Sequence, residues 1–434
     1  MESAGVPLSP PAPVTFAEAL RFWLKLGFIS FGGPTGQIAI MHQELVERRR
    51  WISENRFLHA LNYCMVLPGP EAQQLATYIG WLMHRSWGGI VAGGLFVLPS
   101  VFILIALSWI YVTWGNVPVV AGIFYGIKPA VTAIVVAAAH RIGSRALKHP
   151  ALWAIAAAAF VAIFTFDAPF PAIVIAAGAM GYLGGKYAPG AFSSSGGHGS
   201  AKTAFGPAVI DDGTPTPAHA LFSWTKFWSY AAAGIALWVL VLGALLLAGE
   251  WQGTLTQMGW FFTKAALLTF GGAYAVLPYV FQGAVEHYGW LSALQMIDGL
   301  ALGETTPGPL IMVVAFVGFL GAGVAGALVA TYFTFLPSFI FIFMGAPFIE
   351  TTHGDLKFSA PLTGITAAVV GVILNLAMFF AYHVLWPKGM AGGFDWFSAA
   401  IGLAALVALF RFKAGVMPVI GACALAGLAV TFLR

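Results

Sequence analysis

Charged residues and cysteines are both scarce in this sequence. Asp, Glu, Lys and Arg make up 8% of its 434 residues, whereas soluble domains carry about 25%. The two cysteines, Cys64 and Cys423, are too few for a disulfide framework or a cysteine-based metal site. The net charge of +4 is too small to indicate a nucleic-acid partner. The composition therefore excludes an ordinary soluble domain and a disulfide-stabilised secreted one.

Apolar residues make up 59% of the chain, and many apolar runs approach the roughly 20 residues that cross a bilayer. We therefore predict an all-α, polytopic membrane protein in the inner (plasma) membrane, with the lipid bilayer as its solvent. Residues 1–14 carry no basic stretch ahead of an apolar run, so no cleavable signal peptide is expected. The full-length spans are predicted near 88–112, 118–139, 151–166, 169–187, 224–247, 322–349, 359–386, 394–410 and 414–432.

One sequence pattern occurs twice. Phe-Gly-Gly at 31–33 returns at 270–272, and Pro-Gly-Pro at 68–70 returns at 307–309, both at an offset of 239 residues (270 − 31 and 307 − 68). A shared offset at two separate motifs indicates an internal duplication. The predicted organisation is a first transporter repeat at 15–187, a flexible cytoplasmic linker at 188–223, a connecting transmembrane helix at 224–248 and a second, inverted repeat at 256–432.

Each repeat contains two Gly/Pro breaks within apolar sequence. Helix propensity collapses at such positions, and the flanking apolar pieces are each too short to span a bilayer. Unpaired backbone groups in lipid cost several kcal/mol each, so the breaks must be buried in protein or line a wet cavity. Isolated glycines such as Gly93 and Gly94 indicate only close helix packing. The duplicated breaks instead favour a functional site between discontinuous helices.

Charge asymmetry between equivalent loops predicts the topology. The loop that contains Arg48–Arg50 and Arg56 corresponds to residues 283–295, which contain no Lys or Arg. The basic loop at 140–150 corresponds to a region whose only basic residue is Lys388. Because cytoplasmic loops collect Lys and Arg, equivalent loops should lie on opposite sides. This predicts two inverted-topology repeats with re-entrant broken helices, and a cytoplasmic N-terminus and linker.

The breaks also predict the sign of a ligand. A helix that begins at a break offers free N–H groups and a dipole that favour an anion, and proline suits a first helical turn. Lys25 and Lys264 occupy equivalent positions and would add positive charge, although either could instead extend to the membrane interface. The helix-break prolines are Pro34, Pro68, Pro70, Pro307 and Pro309. The candidate substrate-binding residues are Lys25, Gly32, Gly33, Thr35, Gln37, Gly69, Gln73, Gln74, Lys264, Gly271, Gly272, Thr305, Thr306 and Gly308.

Two carboxylates, Glu71 and Glu304, lie within three residues of a Pro-Gly-Pro break. Ionisable residues inside a membrane are costly and are functional candidates. Both are therefore candidates for coupling to a proton or for balancing the charge of a lysine. Glu71 could instead simply cap the helix that begins beside it, because acids suit a first turn.

The motifs resemble those of the chromate transporter family, specifically its long, two-domain members. The matching stretches are 31–34, 67–76 with 78–80, 270–272 and 306–309, and the run Pro-Gly-Pro-Glu-Ala-Gln-Gln at 68–74 is the specific one. The resemblance covers nearly the whole chain outside 1–14 and 188–222. It implies efflux of chromate, driven by the membrane potential or a proton gradient, and chromate resistance. Chromate is a tetrahedral dianion, in agreement with the anion site inferred from the breaks.

Other functions stay open at this point. A carrier of sulfate or another inorganic anion would show the same breaks, and so would a passive anion channel, in which the carboxylates would be dispensable. An intramembrane enzyme is disfavoured because the sequence shows no paired metal ligands and no nucleophile–base arrangement. No nucleotide-binding motif is present, and no cofactor is expected. The expected partners are the anion, a proton or other coupling ion, and lipid; a homodimer is one candidate assembly.

Overall fold

The computed structural model describes residues 11–31, 33–192, 205–270, 272–352 and 359–433, and these are almost entirely helical. The helices are α1 Phe16–Ile29, α2 Gly33–His42, α3 Glu54–Val66, α4 Glu71–Trp114, α5 Pro118–Ala146, α6 Pro150–Phe166, α7 Phe170–Tyr187, α8 Pro189–Phe192, α9 Trp224–Gly249, α10 Thr254–Leu268, α11 Ala273–Phe281, α12 Ala293–Thr305, α13 Val313–Thr352, α14 Ser359–Leu385, α15 Trp396–Phe410 and α16 Val416–Leu433. Single π-helical turns at Gln43–Arg48 and Gln282–His287 extend α2 and α11, and a short 3₁₀ turn, Leu310–Met312, precedes α13.

Six helical segments of the described chain are long and apolar enough to cross a membrane. They are Glu71–Trp114, Pro118–Ala146, Trp224–Gly249, Leu310–Thr351, Ala360–Gly392 and Val416–Leu433. Pro150–Phe166 and Trp396–Phe410 are shorter apolar helices. Every predicted span coincides with a helix to within a few residues, and the prediction of an all-α polytopic membrane protein is confirmed.

The helices break where the Gly/Pro motifs predict. Gly33, Gly69, Gly272 and Gly308 all have positive φ angles, of 70°, 128°, 97° and 101°. This backbone region disfavours any residue with a Cβ atom. One glycine of each motif is therefore required by the turn itself. Gly32 and Gly271, the partners of two of these glycines, lie outside the described residues.

The long helices α4 and α13 each fold back on themselves. The backbone leaves helical geometry at His84 and Arg85 in α4, and at Ala322 and Gly323 in α13. Gly80 packs directly against Gly88, and Gly318 against Gly326, because the missing side chains let the two arms of each hairpin touch. We call the arms α4a (71–83), α4b (86–114), α13a (313–321) and α13b (324–352).

The equivalent arms α4b and α13b cross the centre of the molecule in opposite directions. A Cβ atom built on Gly89 would lie 2.7 Å from the ring of Phe343, and one built on Gly93 would lie 2.7 Å from the ring of Phe339. The contact partners therefore run in opposite sequence order, which identifies an antiparallel pair. Around this pair, α5 to α7 of the first repeat pack against α14 to α16 of the second, while α9 packs outside against α10 and α13.

The first repeat contains two pairs of short helices, α1 with α2 and α3 with α4a. Each pair starts and finishes at the same end of the molecule. At the start of α1, the carbonyl of Val14 lies 3.0 Å from the His84 imidazole, at the hairpin of α4. Arg49, which follows α2, reaches back to Glu18 in the first turn of α1, at 3.7 Å. The chain between them reaches the molecular interior at Ser30, which is fully buried.

Part of the predicted linker, residues 205–222, is bound to this same end. Ile210 forms an isolated parallel bridge with Ile52, beside the arginine-rich loop. Arg56 donates to the Thr214 carbonyl at 2.6 Å, and the His219 imidazole meets the Trp81 carbonyl at 3.0 Å. Burial lowers the pKa of His219, which favours its neutral form. The polar composition of this segment did not reveal these contacts. Residues 193–204 lie outside the described residues.

Candidate substrate and coupling site

The four helix breaks meet in two pairs, and each pair joins one repeat to the other. The Gly69 amide donates to the Thr269 carbonyl at 2.8 Å, and the Gly308 amide donates to the Ser30 carbonyl at the same distance. The two bonds are related by the offset of 239 residues (308 − 69 and 269 − 30). We call residues 68–70, 269–270 and Ser338 the first junction, and residues 30–31, 307–309 and Ser100 the second junction. Each Pro-Gly-Pro break thus contacts the Gly-Gly break of the other repeat.

The polar groups of the second junction are bonded to one another. Ser100 donates to the Pro307 carbonyl, and Ser30 donates to the Leu26 carbonyl at 2.6 Å. The Gln37 side-chain amide donates to the Gly308 carbonyl at 2.5 Å and reaches the Ser30 carbonyl at 3.3 Å. Gln37 therefore connects the two repeats by bonding to main-chain carbonyls at both helix breaks.

The first junction has the same shape but different chemistry. Ser338 occupies the place of Ser100, and a Cβ atom built on Gly69 would lie 2.5 Å from its hydroxyl oxygen and 2.6 Å from the Gln74 amide nitrogen. Three side-chain oxygens here are buried without a hydrogen-bond partner: Oε1 of Gln73, Oε1 of Gln74 and Oγ of Ser338. All three residues are at most 1% exposed.

Helix starts meet at both junctions. The first-turn N–H groups of a helix have no partner within it, and this applies to residues 71–73 at the start of α4 and to Leu310 and Ile311 ahead of α13. Helices α2 and α11 start in the same way at Gly33 and Ala273. The arrangement brings two helix starts to each junction, and their dipoles favour a negative charge there.

The two candidate carboxylates have different surroundings. Glu304 accepts a hydrogen bond from the Tyr274 hydroxyl, and the Arg141 guanidinium lies 6.0 Å from the centre of the Tyr274 ring. Glu71 is partly buried in the first turn of α4a. No Lys, Arg or His of the described chain lies within ion-pair distance of the Glu71 carboxylate. Glu304 thus has a side-chain hydrogen-bond donor, and among the described side chains neither carboxylate forms an ion pair.

The other candidate residues lie apart from the junctions or donate locally. Lys25 is exposed on the outside of α1, and the Lys264 ammonium lies 5.7 Å from the centre of the Trp260 ring. Thr35 is exposed. Thr305 and Thr306 donate their hydroxyl hydrogens to carbonyls of their own helix, at 2.9 Å and 3.0 Å. Joint anion binding by the two lysines stays a prediction.

Sequence reasoning missed two charged clusters that join the repeats at opposite ends of α4. At one end, Glu350 accepts a 2.5 Å hydrogen bond from Tyr78 and pairs with Arg56 at 3.5 Å. At the other end, near Tyr111 of α4b, the Asp298 carboxylate has the same two kinds of partner, a tyrosine and a basic residue. Asp298 accepts from Tyr111 at 2.9 Å and pairs with Lys128 at 3.4 Å. An Asp or Glu inside an apolar stretch is the sequence signal for both clusters, and neither residue lies beside a Gly/Pro break.

Discontinuous helices that meet between two related halves, with charged groups buried around them, are an architecture of membrane transporters. The chain belongs to the chromate transporter family, whose sequence profile matches residues 17–182 and 256–428. The two matched regions fall within the two repeats that the internal duplication predicts. The resemblance noted in the motifs is therefore confirmed.

Individual relatives agree with this assignment. The chain is 35% identical to the chromate transport protein of Pseudomonas aeruginosa over 425 residues, which cover 96% of this chain and 93% of the relative. It is 30% identical to the chromate transport protein of Cupriavidus metallidurans over 401 residues, which cover 92% and 89%. A probable chromate transport protein of Synechococcus elongatus is 29% identical over 82% of each chain. No solved structure matches the chain significantly.

Proposed function

We propose that this chain is a secondary active transporter that exports chromate from the cytoplasm and thereby confers chromate resistance. The observation that carries the proposal is the crosswise joining of the breaks, through the bonds Gly69 to Thr269 and Gly308 to Ser30. At the second junction it brings the start of α2 in one repeat and the helix start ahead of α13 in the other together in a buried region, where their N–H groups suit a tetrahedral oxyanion. The names of the relatives supply chromate as the particular anion.

The proposed transport cycle depends on inverted repeats. The antiparallel course of α4b and α13b supports inversion, because equivalent helices of inverted repeats must point in opposite directions. The return of α2 to the start of α1, at the Arg49–Glu18 contact, supports a re-entrant pair. The bound linker segment and the arginine-rich loop share one end of the molecule, which we assign to the cytoplasm because of its basic residues.

An alternating-access cycle needs a contact between the repeats at each end that can open and close. Two charged clusters supply these contacts in the proposed cycle. The cluster of Arg56, Tyr78 and Glu350 closes the contact between the repeats at the proposed cytoplasmic end. The cluster of Tyr111, Lys128 and Asp298 closes it at the other end. In this scheme one cluster opens while the other stays closed, so that the junctions face one side at a time.

The experiment that tests the proposal is chromate uptake into inverted membrane vesicles that contain the folded protein. The expected result is accumulation that requires a proton gradient or membrane potential and that is blocked by excess sulfate. Vesicles without the protein are the control. Absence of chromate accumulation, with the protein folded and present, would contradict the proposal.

Two competing functions are distinguished by the same measurement. A sulfate carrier would accumulate labelled sulfate but not chromate. A passive channel would equilibrate chromate without concentrating it, whether or not a gradient is applied. Either result would leave the fold unchanged and would replace the proposed function.

A further inference from the structure

The hydrogen bonds at the start of α4a determine which atoms of two glutamines face the first junction. The Gln74 side-chain nitrogen lies 2.8 Å from the Pro68 carbonyl, which can only accept, so the amide group of Gln74 must direct its N–H there. Its oxygen, Oε1, therefore points away from this bond. Gln74 thus donates one N–H to the Pro68 carbonyl at the break, and its side-chain oxygen remains free to accept a bond.

The orientation of Gln73 is determined in the same way. Thr77 donates its hydroxyl hydrogen to the Gln73 main-chain carbonyl at 2.9 Å. The Thr77 oxygen can then only accept from the Gln73 side-chain nitrogen, which lies 3.0 Å away. The side-chain oxygen of Gln73 is therefore also an acceptor without a donor.

These oxygens belong to one local region where α4a packs on α13b. The Gln74 amide and the Ser338 hydroxyl both approach the α-carbon of Gly69. Gln73 lies beside Gly93, and a Cβ atom built on Gly93 would also approach the ring of Phe339, the residue that follows Ser338. Glu71 is three residues before Gln74 on the same helix, a spacing that places the two side chains on one face.

A cation accounts for this set of groups better than an anion does. Buried polar oxygens normally have a partner. The side-chain oxygens of Gln73 and Gln74 can only accept, and the Ser338 hydroxyl can accept or donate. A cation satisfies all three oxygens, whereas the two amide oxygens and the Glu71 carboxylate would repel an oxyanion. Oxygen ligands of this kind suit a hard metal cation, and transporters of broken-helix architecture coordinate such ions beside their breaks. A proton could neutralise Glu71 but could satisfy only one of the acceptors. The single carboxylate matches a single positive charge.

The second repeat lacks the corresponding groups. At the offset of 239 residues, the positions of Glu71, Gln73 and Gln74 are occupied by Leu310, Met312 and Val313. Ser100, the counterpart of Ser338, is already bonded to the Pro307 carbonyl. The difference between the junctions thus concerns the cation-binding groups specifically, while the shared backbone bonds are retained in both.

We propose that the first junction binds a monovalent alkali cation between the Glu71 carboxylate, Gln74 Oε1 and Ser338 Oγ, with Gln73 Oε1 beside them. The site's role as a coupling site rests on the proposed transport function, but binding of the ion does not. The ion would neutralise the Glu71 carboxylate, which, unlike that of Glu304, accepts no hydrogen bond from a described side chain.

The test is the thermal stability of the purified full-length protein in NaCl, KCl or choline chloride at equal ionic strength, without chromate. Because a ligand that binds only the folded state stabilises it, Na⁺ or K⁺ should raise the midpoint temperature relative to choline, with a saturable concentration dependence. Ser338→Ala and Glu71→Gln should each raise the half-saturating concentration by about tenfold or more, as loss of a metal-supporting group does. Ser100→Ala is the matched control and should leave that concentration unchanged.

Three results would overturn the proposal: equal stability in all three salts, a salt effect unaltered by both variants, or stabilisation that follows only proton concentration. Chromate uptake in vesicles is measured separately, with sodium or potassium replaced by choline. Alkali-ion binding without chromate uptake would contradict the proposed function and leave the cation site standing. Chromate uptake without alkali-ion binding would contradict the cation site and leave the proposed function standing.

Discussion

The Gly69 amide bonds to the Thr269 carbonyl across the interface between the repeats, at 2.8 Å. This bond leaves the Pro-Gly-Pro turn of one repeat anchored on the end of α10 in the other, where both helices are interrupted. The equivalent bond from Gly308 to Ser30 repeats the arrangement. The candidate site is therefore shared by the two repeats, and neither repeat alone contains a complete junction.

The glycines of these turns should be intolerant of a side chain. Gly69→Ala and Gly308→Ala each place a Cβ atom at a positive φ angle, and at Gly308 that atom would also collide with the Ser100 hydroxyl. Such backbone strain costs about 1–3 kcal/mol, so we expect lower thermal stability and loss of chromate uptake. Gly94→Ala is the control, because Gly94 is helical with open space around its α-carbon. Normal uptake by Gly308→Ala would contradict the assigned geometry.

The buried cluster at the proposed cytoplasmic end should show strong coupling between its charges. Glu350 is 5% exposed and pairs with Arg56, and removal of one partner of a buried pair costs about 3–5 kcal/mol. Glu350→Gln should therefore lower the unfolding temperature of the purified protein markedly. The double variant Arg56→Gln, Glu350→Gln should be more stable than Glu350→Gln alone, because no unpaired charge remains buried.

A surface pair provides the comparison for this experiment. Glu18 has a side chain that is 51% exposed and lies 3.7 Å from Arg49, and exposed pairs contribute about 0–1 kcal/mol. Glu18→Gln should leave the unfolding temperature almost unchanged. Additive effects of the two substitutions at Arg56 and Glu350 would show that the pair is not energetically coupled.

The fold was largely predictable because its determinants are local or repeated. Apolar run lengths located the spanning helices, and Thr15 caps α1 by accepting a 3.3 Å bond from the Glu18 amide, as a threonine ahead of an apolar helix commonly does. The glycines at the four breaks predicted where helices end. The backbone has positive φ angles there, which glycine adopts at little cost and other residues do not. The shared offset of 239 residues predicted that these features would be duplicated.

The candidate site was less predictable because its contacts join residues far apart in sequence. Nothing local to Gln37 indicates that its amide reaches Gly308, 271 residues away. The hydrogen-bond roles of Gln73 and Gln74 depend on Thr77 and Pro68, and so only the structure shows that their buried side-chain oxygens have no donor. Likewise, Glu350 gains its importance from Arg56 on another helix.

Equivalent positions after the first break of each repeat should be accessible from opposite sides of the membrane. Arg48 and His287 are related by the offset of 239 residues and both are exposed. Single cysteines at these positions should therefore react with an impermeant maleimide in opposite preparations: Arg48→Cys in inverted vesicles and His287→Cys in intact cells. The unmodified chain is the control, since Cys64 and Cys423 are buried. Labelling of both cysteines from one side would exclude inverted repeats.

The two equivalent lysines can be tested for a role in binding. Lys25 is exposed on α1 and Lys264 lies against Trp260, and no described hydrogen bond or ion pair joins either ammonium group to a junction. Joint binding of the anion, in a conformation other than the one described, predicts that the double variant Lys25→Ala, Lys264→Ala raises the half-saturating chromate concentration in vesicles by about tenfold or more, because hydrogen bonds to charged groups contribute about 1.5–3 kcal/mol each. Glu71→Gln, measured alongside, should alter uptake strongly because Glu71 lies at the first junction. A change of no more than about twofold for the lysine variant, with the protein folded, would show that the paired ammonium groups do not bind the anion.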